Sequence, residues 1–372
     1  MHNLSCSDTS GRNNNLSLVR LVAALAVIWG HSYALVQTTE RDPLAVLMNG
    51  HTYSGTIAVS AFFALSGFLV TRSYWFKPNI ADWVKQRIAR IYPGVFVCLI
   101  VMLVYVFVVY RREDGLSFFN SEEVWEFMRY NMILDNVRFK ITGAFPDNRI
   151  TETLNGSWWT LPGEIRVYLL FAILALVGLT PSQHGRFLRF RCIGIVALLA
   201  GMIVFSFVDH PSMPVIMNHT SYASPTRYFL LGCIAFYLRK YIVFHGGICI
   251  VLLALPYIAY DNKEVFLGLL MFSICYTVFY IGFGLRDIGL EGKIGDYSYG
   301  IYIYGWFAQQ VAASLNPGQS HYENFLLSAT LSIFLGWLSW RLVESPSLDL
   351  AQKWRPRDPR SMFRIFRSVA NP

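Results

Sequence analysis

The sequence predicts an all-α integral membrane protein with about ten transmembrane helices. Of its 372 residues, 54% are hydrophobic and only 15% are charged, and the mean hydropathy is +0.41. Soluble globular domains carry about 25% charged residues, so the composition excludes a water-soluble enzyme and a disordered regulator. Apolar stretches long enough to cross a bilayer recur along the chain, and polar loops separate them.

A spanning helix needs about 20 mostly apolar residues, and ten segments meet or approach that length. The seventh segment is short, so nine or eleven spans also fit the pattern. A polar stretch over 111–160 separates the third span from the fourth and predicts one long loop. In chain order the predicted spans are Leu16–Val36, Tyr53–Tyr74, Ile91–Tyr110, Leu161–Leu179, Cys192–Val208, Tyr222–Leu238, Ile248–Tyr260, Val265–Leu285, Tyr297–Leu315 and Asn324–Leu342.

Lysine and arginine are distributed unequally between the two sides of the predicted bundle. With the N-terminus inside, 21 of the 31 Lys and Arg residues lie on the cytoplasmic side, nine lie on the outer side, and Arg166 lies within a span. By the positive-inside rule, both termini are therefore predicted to be cytoplasmic and the loop over 111–160 to be external. Topology accounts for the net charge of +8, so we expect no nucleic-acid partner.

The chain is predicted to form one membrane domain over residues 1–350, followed by a basic cytoplasmic tail over residues 351–372. The tail alternates arginine with proline, which is typical of a segment in solvent or on a membrane surface. Within the loop over 111–160, an amphipathic helix is predicted over Ser121–Ile133, with Ser121 as its N-cap. Five of the six cysteines lie in or beside apolar runs without ligand spacing, so neither a disulfide framework nor a metal site is predicted.

His31 is the clearest candidate functional residue, because ionisable side chains are costly inside a membrane span. Arg20 lies eleven residues earlier, a separation of three helical turns plus about 20°, so the two side chains share one helix face. A neutral imidazole can accept a proton from a hydroxyl near neutral pH. The alternative is a structural histidine in a packed interface, and the matched arginine favours the functional interpretation.

Arg87 and Arg90 lie three residues apart just before the third span, so on a helix they are neighbours. Two guanidinium groups at this position can bind phosphate groups through forked hydrogen bonds. The alternative is ordinary anchoring of a positively charged helix end at the cytoplasmic surface, which this pair alone does not exclude.

A third cluster precedes and enters the fourth span. Pro162 suits the first turn of a helix, which Glu164 and Arg166 then enter from the external side. The carboxylate of Glu164 could orient an imidazole or an acceptor hydroxyl, and Trp158 and Trp159 could stack on a sugar ring. The alternative is an interfacial aromatic belt with a structural ion pair.

Taken in order, these motifs resemble those of the acyltransferase-3 family of integral membrane acyltransferases, over most of the chain from Asn14 to Pro346. The chain departs from many members at Pro162-Gly163 but keeps the carboxylate that follows. Each motif alone is weak, whereas all six in order are specific. The motifs are Arg20 with His31, the segment Phe62–Phe68, Arg87 with Arg90, the set Trp159, Leu161, Glu164 and Tyr168, the run Ser298–Tyr304, and Glu344 with Pro346.

The resemblance implies transfer of an acyl group, usually acetyl from acetyl-CoA, to a hydroxyl of a cell-envelope or exported carbohydrate such as O-antigen or exopolysaccharide. It also implies a multi-pass protein of the bacterial inner membrane, in the stand-alone form without an SGNH-type domain. The implied partners are an acyl-CoA, a carbohydrate or lipid-linked glycan, and the bilayer. Acetyl-CoA is expected as the donor substrate, without a metal, and the oligomeric state is left open.

The resemblance also implies roles for the candidate residues. His31 is expected to act as general base on the acceptor hydroxyl or to pass on the acyl group, and Glu164 to orient His31 or the acceptor from the outer side. Three arginines are expected to hold the phosphates of CoA: Arg20, Arg87 and Arg90. Four more side chains are expected to contact substrate: Trp158, Trp159, Arg166 and Tyr304.

The second candidate function is a secondary transporter that exports a small molecule or a glycan, since transporters also place ionisable side chains in the membrane. Inverted repeats with paired broken helices would favour a transporter, and none is evident in the sequence. Turnover in detergent separates the two functions, because an enzyme needs no sealed membrane whereas net transport does.

Overall fold

The computed structural model describes residues 2–3, 14–36, 38–183, 187–207, 220–289 and 296–354, and in these ranges the protein is a bundle of α-helices. Two short strands pair in antiparallel register, β1 (His2–Asn3) with β2 (Val243–Phe244). In chain order the helices are α1 (Leu16–Leu35), α2 (Pro43–Leu47), α3 (Ser54–Phe76), α4 (Ile80–Tyr110), α5 (Ser117–Asn120), α6 (Glu122–Ile133), α7 (Thr160–Leu176), α8 (Leu188–Phe205), α9 (Thr220–Leu238), α10 (Gly246–Ala254), α11 (Lys263–Phe279), α12 (Ser298–Leu315), α13 (His321–Ser339) and α14 (Ser345–Lys353).

Among the described residues, seven helical segments are long and apolar enough to cross a membrane. This confirms a helical, multi-pass membrane protein, whereas the count of ten spans and the side of the termini stay predictions. The other three predicted spans correspond to α9 and α12, which contain more polar residues, and to α10, which is short. The seven segments are Leu16–Leu35, Ser54–Phe76, Ile80–Tyr110, Gly156–Leu176, Leu188–Phe205, Lys263–Gly284 and His321–Lys353.

Side-chain caps fix the starts of α4 and α6. The side chain of Asn79 accepts a hydrogen bond from the backbone N–H of Asp82 at 3.1 Å, so α4 begins well before the predicted Ile91. Ser121 accepts from the backbone N–H of Val124 at 3.4 Å, which confirms the predicted helix start in the long loop. The arginine pair predicted ahead of the third span therefore lies within α4 itself.

The end of the long loop folds back into the helical bundle. A 3-10 turn over Gly156–Trp159 leads directly into α7. Trp158 in this turn is fully buried, and its indole N–H donates to the carbonyl oxygen of Ile303 in α12 at 2.9 Å. The first turn of α7 therefore starts inside the bundle, which decides where Glu164 points.

Helices α3 and α9 cross at two glycines. A Cβ atom at Gly67 would lie 2.0 Å from the carbonyl oxygen of Phe229, and one at Gly232 would lie 2.1 Å from that of Ala64. Real side chains do not tolerate such distances, so the absence of a side chain at both positions lets the two backbones approach. The crossing holds α3, which carries Ser66, in place beside the candidate site.

We expect Gly67→Ala to lower the thermal unfolding midpoint of the detergent-solubilised protein. The added methyl group has to push α9 away from α3, and overpacking of this kind costs about 1–3 kcal/mol. Gly268→Ala in α11 is the matched control, because a Cβ atom there meets nothing within 4 Å. Equal midpoints for the two variants would contradict the close crossing.

The C-terminal part of the chain only partly tests the predicted domain boundary. Helix α14 crosses residue 350 and ends at Lys353. The rest of the predicted basic tail, residues 355–372, lies outside the described residues. The division into a membrane domain and a cytoplasmic tail stays a prediction.

Candidate active site

One cavity collects four of the candidate residues, and we call it the arginine cavity. It has a volume of about 120 Å³ and is lined by side chains of α1, α3, α4, α7 and α12. Its aromatic wall includes Tyr299 and Tyr302 of α12. The four candidates on its surface are Arg20, Arg87, Arg90 and Glu164.

A single carboxylate joins two of these arginines. Oδ2 of Asp296, two residues before α12, lies 2.5 Å from Nη1 of Arg20 and 2.8 Å from Nη2 of Arg90. The other oxygen accepts a hydrogen bond from the hydroxyl of Ser298 at 2.6 Å. Burial raises the pKa of the Asp296 carboxyl, but Arg90 and Arg20 outweigh burial and hold the pKa well below its usual range. The bridge therefore fixes α1 and α4 to the start of α12 while it stays ionised.

The guanidinium group of Arg90 contacts two carboxylates and two aromatic rings. Besides Asp296, its guanidinium contacts Oε2 of the fully buried Glu344 at 3.3 Å. It also lies over the rings of Tyr299 and Trp340, 5.5 Å and 5.3 Å from the two centroids. With two carboxylates and two rings around it, Arg90 acts mainly as a fixed structural cation on the cavity wall.

Arg87 is held less completely. Its guanidinium lies 5.8 Å from the ring centroid of Trp83. Its Nε is buried and makes no hydrogen bond within the part of the chain that the structure describes. A half-buried cation to which the described residues offer no ion pair favours an anion in the space beside it. Of the three arginines, Arg87 therefore has the greatest unmet demand for an anionic group.

A chain of hydroxyl groups connects Glu164 to α3. The hydroxyl of Tyr168, one turn further along α7, donates to Oε1 of Glu164. It also shares a hydrogen bond of 2.9 Å with the hydroxyl of Ser66. All three side chains line the arginine cavity. Glu164 was expected to orient His31 or the acceptor from the outer side, and the structure has its side chain on the wall of the arginine cavity, which does not include His31.

His31 lies further along α1, away from the arginine cavity. Its ring packs edge-to-face on Trp306 of α12, with 5.1 Å between the centroids, and lies 6.4 Å from the ring of Tyr53. The side chain is buried, and its Nδ1 has no hydrogen-bond partner among the described residues. Arg20 and His31 both face α12, as their spacing predicted. The imidazole therefore keeps a buried hydrogen-bonding nitrogen that none of the described residues uses.

Trp306 also lines a second cavity, which we call the loop pocket. This pocket has a volume of about 690 Å³ and lies between α6, the segment 137–156 and α12. A Cβ atom at Gly156 would lie 2.6 Å from the ring of Trp306, so the glycine lets the loop backbone pack on this ring. The indole N–H donates to the carbonyl oxygen of Thr153 at 3.2 Å. These two contacts fix the end of the long loop against the ring of Trp306.

Helix α12 runs from the arginine cavity to the loop pocket. Tyr299 and Tyr302 line the first, Trp306 lines the second, and these positions share one helix face. Tyr302 and Trp306 are one turn apart, about 6 Å along the axis. The hydroxyl of Tyr302 donates to the carbonyl oxygen of Ser157, in the turn that separates the two cavities. The two cavities therefore lie on either side of this turn, along one face of α12.

The other predicted substrate-binding residues lie outside the lining of both cavities. Trp158 is fully buried against α12, and Trp159 beside it is half-buried. Arg166 forms an ion pair of 2.8 Å with Asp135 in the long loop. Tyr304 is buried on the helix that also carries Trp306. Their predicted contacts with substrate stay predictions.

Four residues that line the two cavities or bind their arginines had no assigned role in the sequence interpretation. Ser66 and Tyr168 belong to two of the motifs named above, so the sequence did contain a signal for both. Asp296 had no signal, because its partners lie far away in sequence. In the sequence, Trp306 cannot be distinguished from an interfacial tryptophan, because the loop pocket that it lines is formed only in the folded protein.

The protein is a helical membrane bundle that encloses a cationic cavity and a buried histidine. These features are typical of a membrane-embedded protein that binds an anionic substrate. A family model described as an acyltransferase domain matches residues 13–341, so the chain belongs to the acyltransferase-3 family. It is therefore an acyltransferase and a multi-pass membrane protein. Of the two functions considered from the sequence, this favours the enzyme over the transporter.

Three curated relatives match nearly the full chain. An O-acetyl transferase of Shigella phage Sf6 is 28% identical, over 94% of this chain and 100% of the relative. Nodulation protein 10 of Rhizobium leguminosarum bv. viciae is 23% identical, over 92% of this chain and 95% of its own length. Acyltransferase MdmB of Streptomyces mycarofaciens is 24% identical, over 92% and 93%. No solved structure matches the chain significantly.

Proposed function

We propose that this acyltransferase moves an acetyl group from acetyl-CoA to a hydroxyl of a cell-envelope or exported carbohydrate. The observation that carries the proposal is the arrangement of two cavities along α12, with cations around one and, beside the other, His31 in contact with the lining residue Trp306. The O-acetyl transferase among the relatives supports acetyl as the transferred group. The proposed location is the bacterial inner membrane, with both termini in the cytoplasm.

The donor is proposed to enter through the arginine cavity. Its three cations suit the phosphates of CoA, and the unmet hydrogen-bonding capacity of Arg87 is the strongest feature. A volume of about 120 Å³ is below that of a drug-sized ligand site, so the cavity would take a phosphate or the thioester end and not the whole molecule. The pantetheine arm would then extend along α1, where Arg20 and His31 are about 16 Å apart.

His31 is proposed to act as general base. Its imidazole takes the proton from the acceptor hydroxyl, the hydroxyl oxygen forms an ester bond with the acyl carbon, and the C–S bond of the thioester breaks. The departing CoA thiolate then receives the proton. The unpartnered Nδ1 and the absence of an ion pair to His31 among the described residues support a neutral imidazole as the resting form.

Glu164 is proposed to act from the arginine cavity rather than beside His31. Its carboxylate accepts from Tyr168 and lies within electrostatic range of Arg90, Arg87 and Arg20. It therefore balances the cations and orients the hydroxyl groups that face the thioester end of the donor. This makes Glu164 part of donor positioning.

The test supplies labelled acetyl-CoA and an envelope polysaccharide, extracted from cells that lack this protein, to the purified protein in detergent. We expect CoA release and label in the polysaccharide that mild alkali removes as acetate, since an ester is formed. Succinyl-CoA in parallel tests the choice of donor. Binding of acetyl-CoA without any transfer to carbohydrate would contradict the proposed acceptor class.

We expect Arg87→Ala to weaken acetyl-CoA binding by about tenfold to a hundredfold, because a buried charge-assisted contact to a phosphate is lost. The affinity of Arg87→Lys for acetyl-CoA should lie between those of the wild-type protein and Arg87→Ala, since lysine supplies the charge but not the forked geometry. Isothermal titration of the solubilised protein measures the affinity. Arg189→Ala, an exposed arginine at the start of α8, is the control. Equal affinity for Arg87→Ala and the control would exclude the phosphate contact.

A further inference from the structure

The loop pocket has no part in the donor path and is much the larger of the two cavities. Its volume of about 690 Å³ falls within the range of small-molecule sites. It opens between α6 and the segment 137–156, on the face formed by the long loop. A second substrate could therefore reach it independently of the arginine cavity.

The lining combines one aromatic ring with balanced charges. Trp306 is half-buried and contributes its ring, while Gly156 packs against that ring without a side chain. Two carboxylates and two cations surround it, so the lining has no net charge: Glu123, Glu126, Arg138 and Lys140. A ring beside several hydrogen-bonding groups suits a sugar, whose C–H face packs on an aromatic ring while its hydroxyls bond to charged side chains.

The charge of the lining separates this pocket from a phosphate site. The arginine cavity has three cations and one carboxylate, Glu164, whereas the loop pocket has two of each. Lys140 lies 3.9 Å from Glu152, and Arg138 lies over the ring of Tyr130 at 4.7 Å. An uncharged ligand is therefore favoured over a nucleotide.

The pocket also lies next to the proposed base, which contacts the lining residue Trp306 without lining the pocket itself. Trp306 is shared by the pocket lining and by the edge-to-face contact with His31 at 5.1 Å. A sugar seated on Trp306 would present its hydroxyls close to the imidazole. Tyr53, the other ring beside His31, lines neither of the two cavities.

We propose that the loop pocket is the acceptor subsite and binds a neutral sugar unit of the glycan, with Trp306 as the ring on which the sugar packs. The assignment rests on the proposed function and adds the place and the class of the acceptor unit. It gives Trp306 the stacking role that the sequence suggested for Trp158 and Trp159.

The kinetic test compares four variants with labelled acetyl-CoA and the extracted envelope polysaccharide. Trp306→Ala should raise KM for the polysaccharide about tenfold, and Trp306→Phe much less, because phenylalanine keeps a ring. Glu126→Gln should raise it about two- to tenfold, since the substitution removes a carboxylate that lines the pocket. KM for acetyl-CoA should stay within twofold in all of them. Trp337→Ala, an exposed tryptophan on α13, is the matched control.

A binding test covers the case in which Trp306→Ala does not fold. A photoreactive diazirine derivative of the same polysaccharide should label peptides from 123–140 and the peptide that contains Trp306 in the wild-type protein. Unlabelled polysaccharide should compete. Labelling confined to other segments would overturn the subsite. A polysaccharide KM that stays unchanged in all three variants, Trp306→Ala, Trp306→Phe and Glu126→Gln, would also overturn it.

The two proposals fail in different ways. If the wild-type protein does not acetylate the polysaccharide at all, the proposed function is wrong and the subsite falls with it. If the wild-type protein acetylates it but the variants keep their polysaccharide KM, the function stands and only the position of the acceptor is wrong.

Discussion

His31→Ala is expected to reduce acetyl transfer by about a hundred- to ten-thousand-fold, the contribution typical of a general base. The imidazole is buried, has an unpartnered Nδ1 within the described residues, and contacts Trp306, which lines the loop pocket. Its removal takes away the group that accepts the hydroxyl proton. Affinity for acetyl-CoA should be unchanged, because the arginine cavity does not include His31.

Label transferred to polysaccharide over time gives kcat, and titration gives the affinity for the donor. His31→Gln keeps much of the volume and a hydrogen-bonding amide, so its equal loss of activity would assign the effect to the base and not to packing. His245→Gln is the matched control, since this exposed histidine caps α10 and lines neither cavity. Full activity in His31→Ala would remove the residue from the mechanism.

The sequence predicted what depends on local periodicity. The spacing of Arg20 and His31 placed both on one face of α1, and the structure has both facing α12. The cap at Ser121 and the helix that follows it were also predicted, because the signal lies within one turn. The pair Arg87 and Arg90 was placed near a helix start for the same reason, although α4 begins earlier than its apolar stretch.

The contacts that assemble the site could not be predicted in this way. Asp296 bonds to Arg20 and Arg90 across more than two hundred residues of chain, and no local pattern marks such a partner. The orientation of Glu164 depends on how the loop re-enters the bundle. In the same way, Trp158 and Trp306 look alike in sequence, and only the folded loop buries one and exposes the other to a pocket.

Glu164→Gln is expected to reduce acetyl transfer by about a hundredfold, with a larger effect on kcat than on binding of acetyl-CoA. The amide keeps the shape of the side chain but removes the charge that lies near Arg90, Arg87 and Arg20. It also replaces a carboxylate that accepts from Tyr168 with a weaker, neutral acceptor. The hydroxyl chain to Ser66 would then lose its fixed direction.

Tyr168→Phe separates these two effects, because it removes the hydroxyl chain and keeps the carboxylate. A loss of about tenfold or less is expected, since the charge balance of the cavity survives. Glu264→Gln, the same change at an exposed residue in the first turn of α11, is the control. A greater loss in Tyr168→Phe than in Glu164→Gln would show that the hydroxyl chain, and not the charge of Glu164, is what the reaction requires.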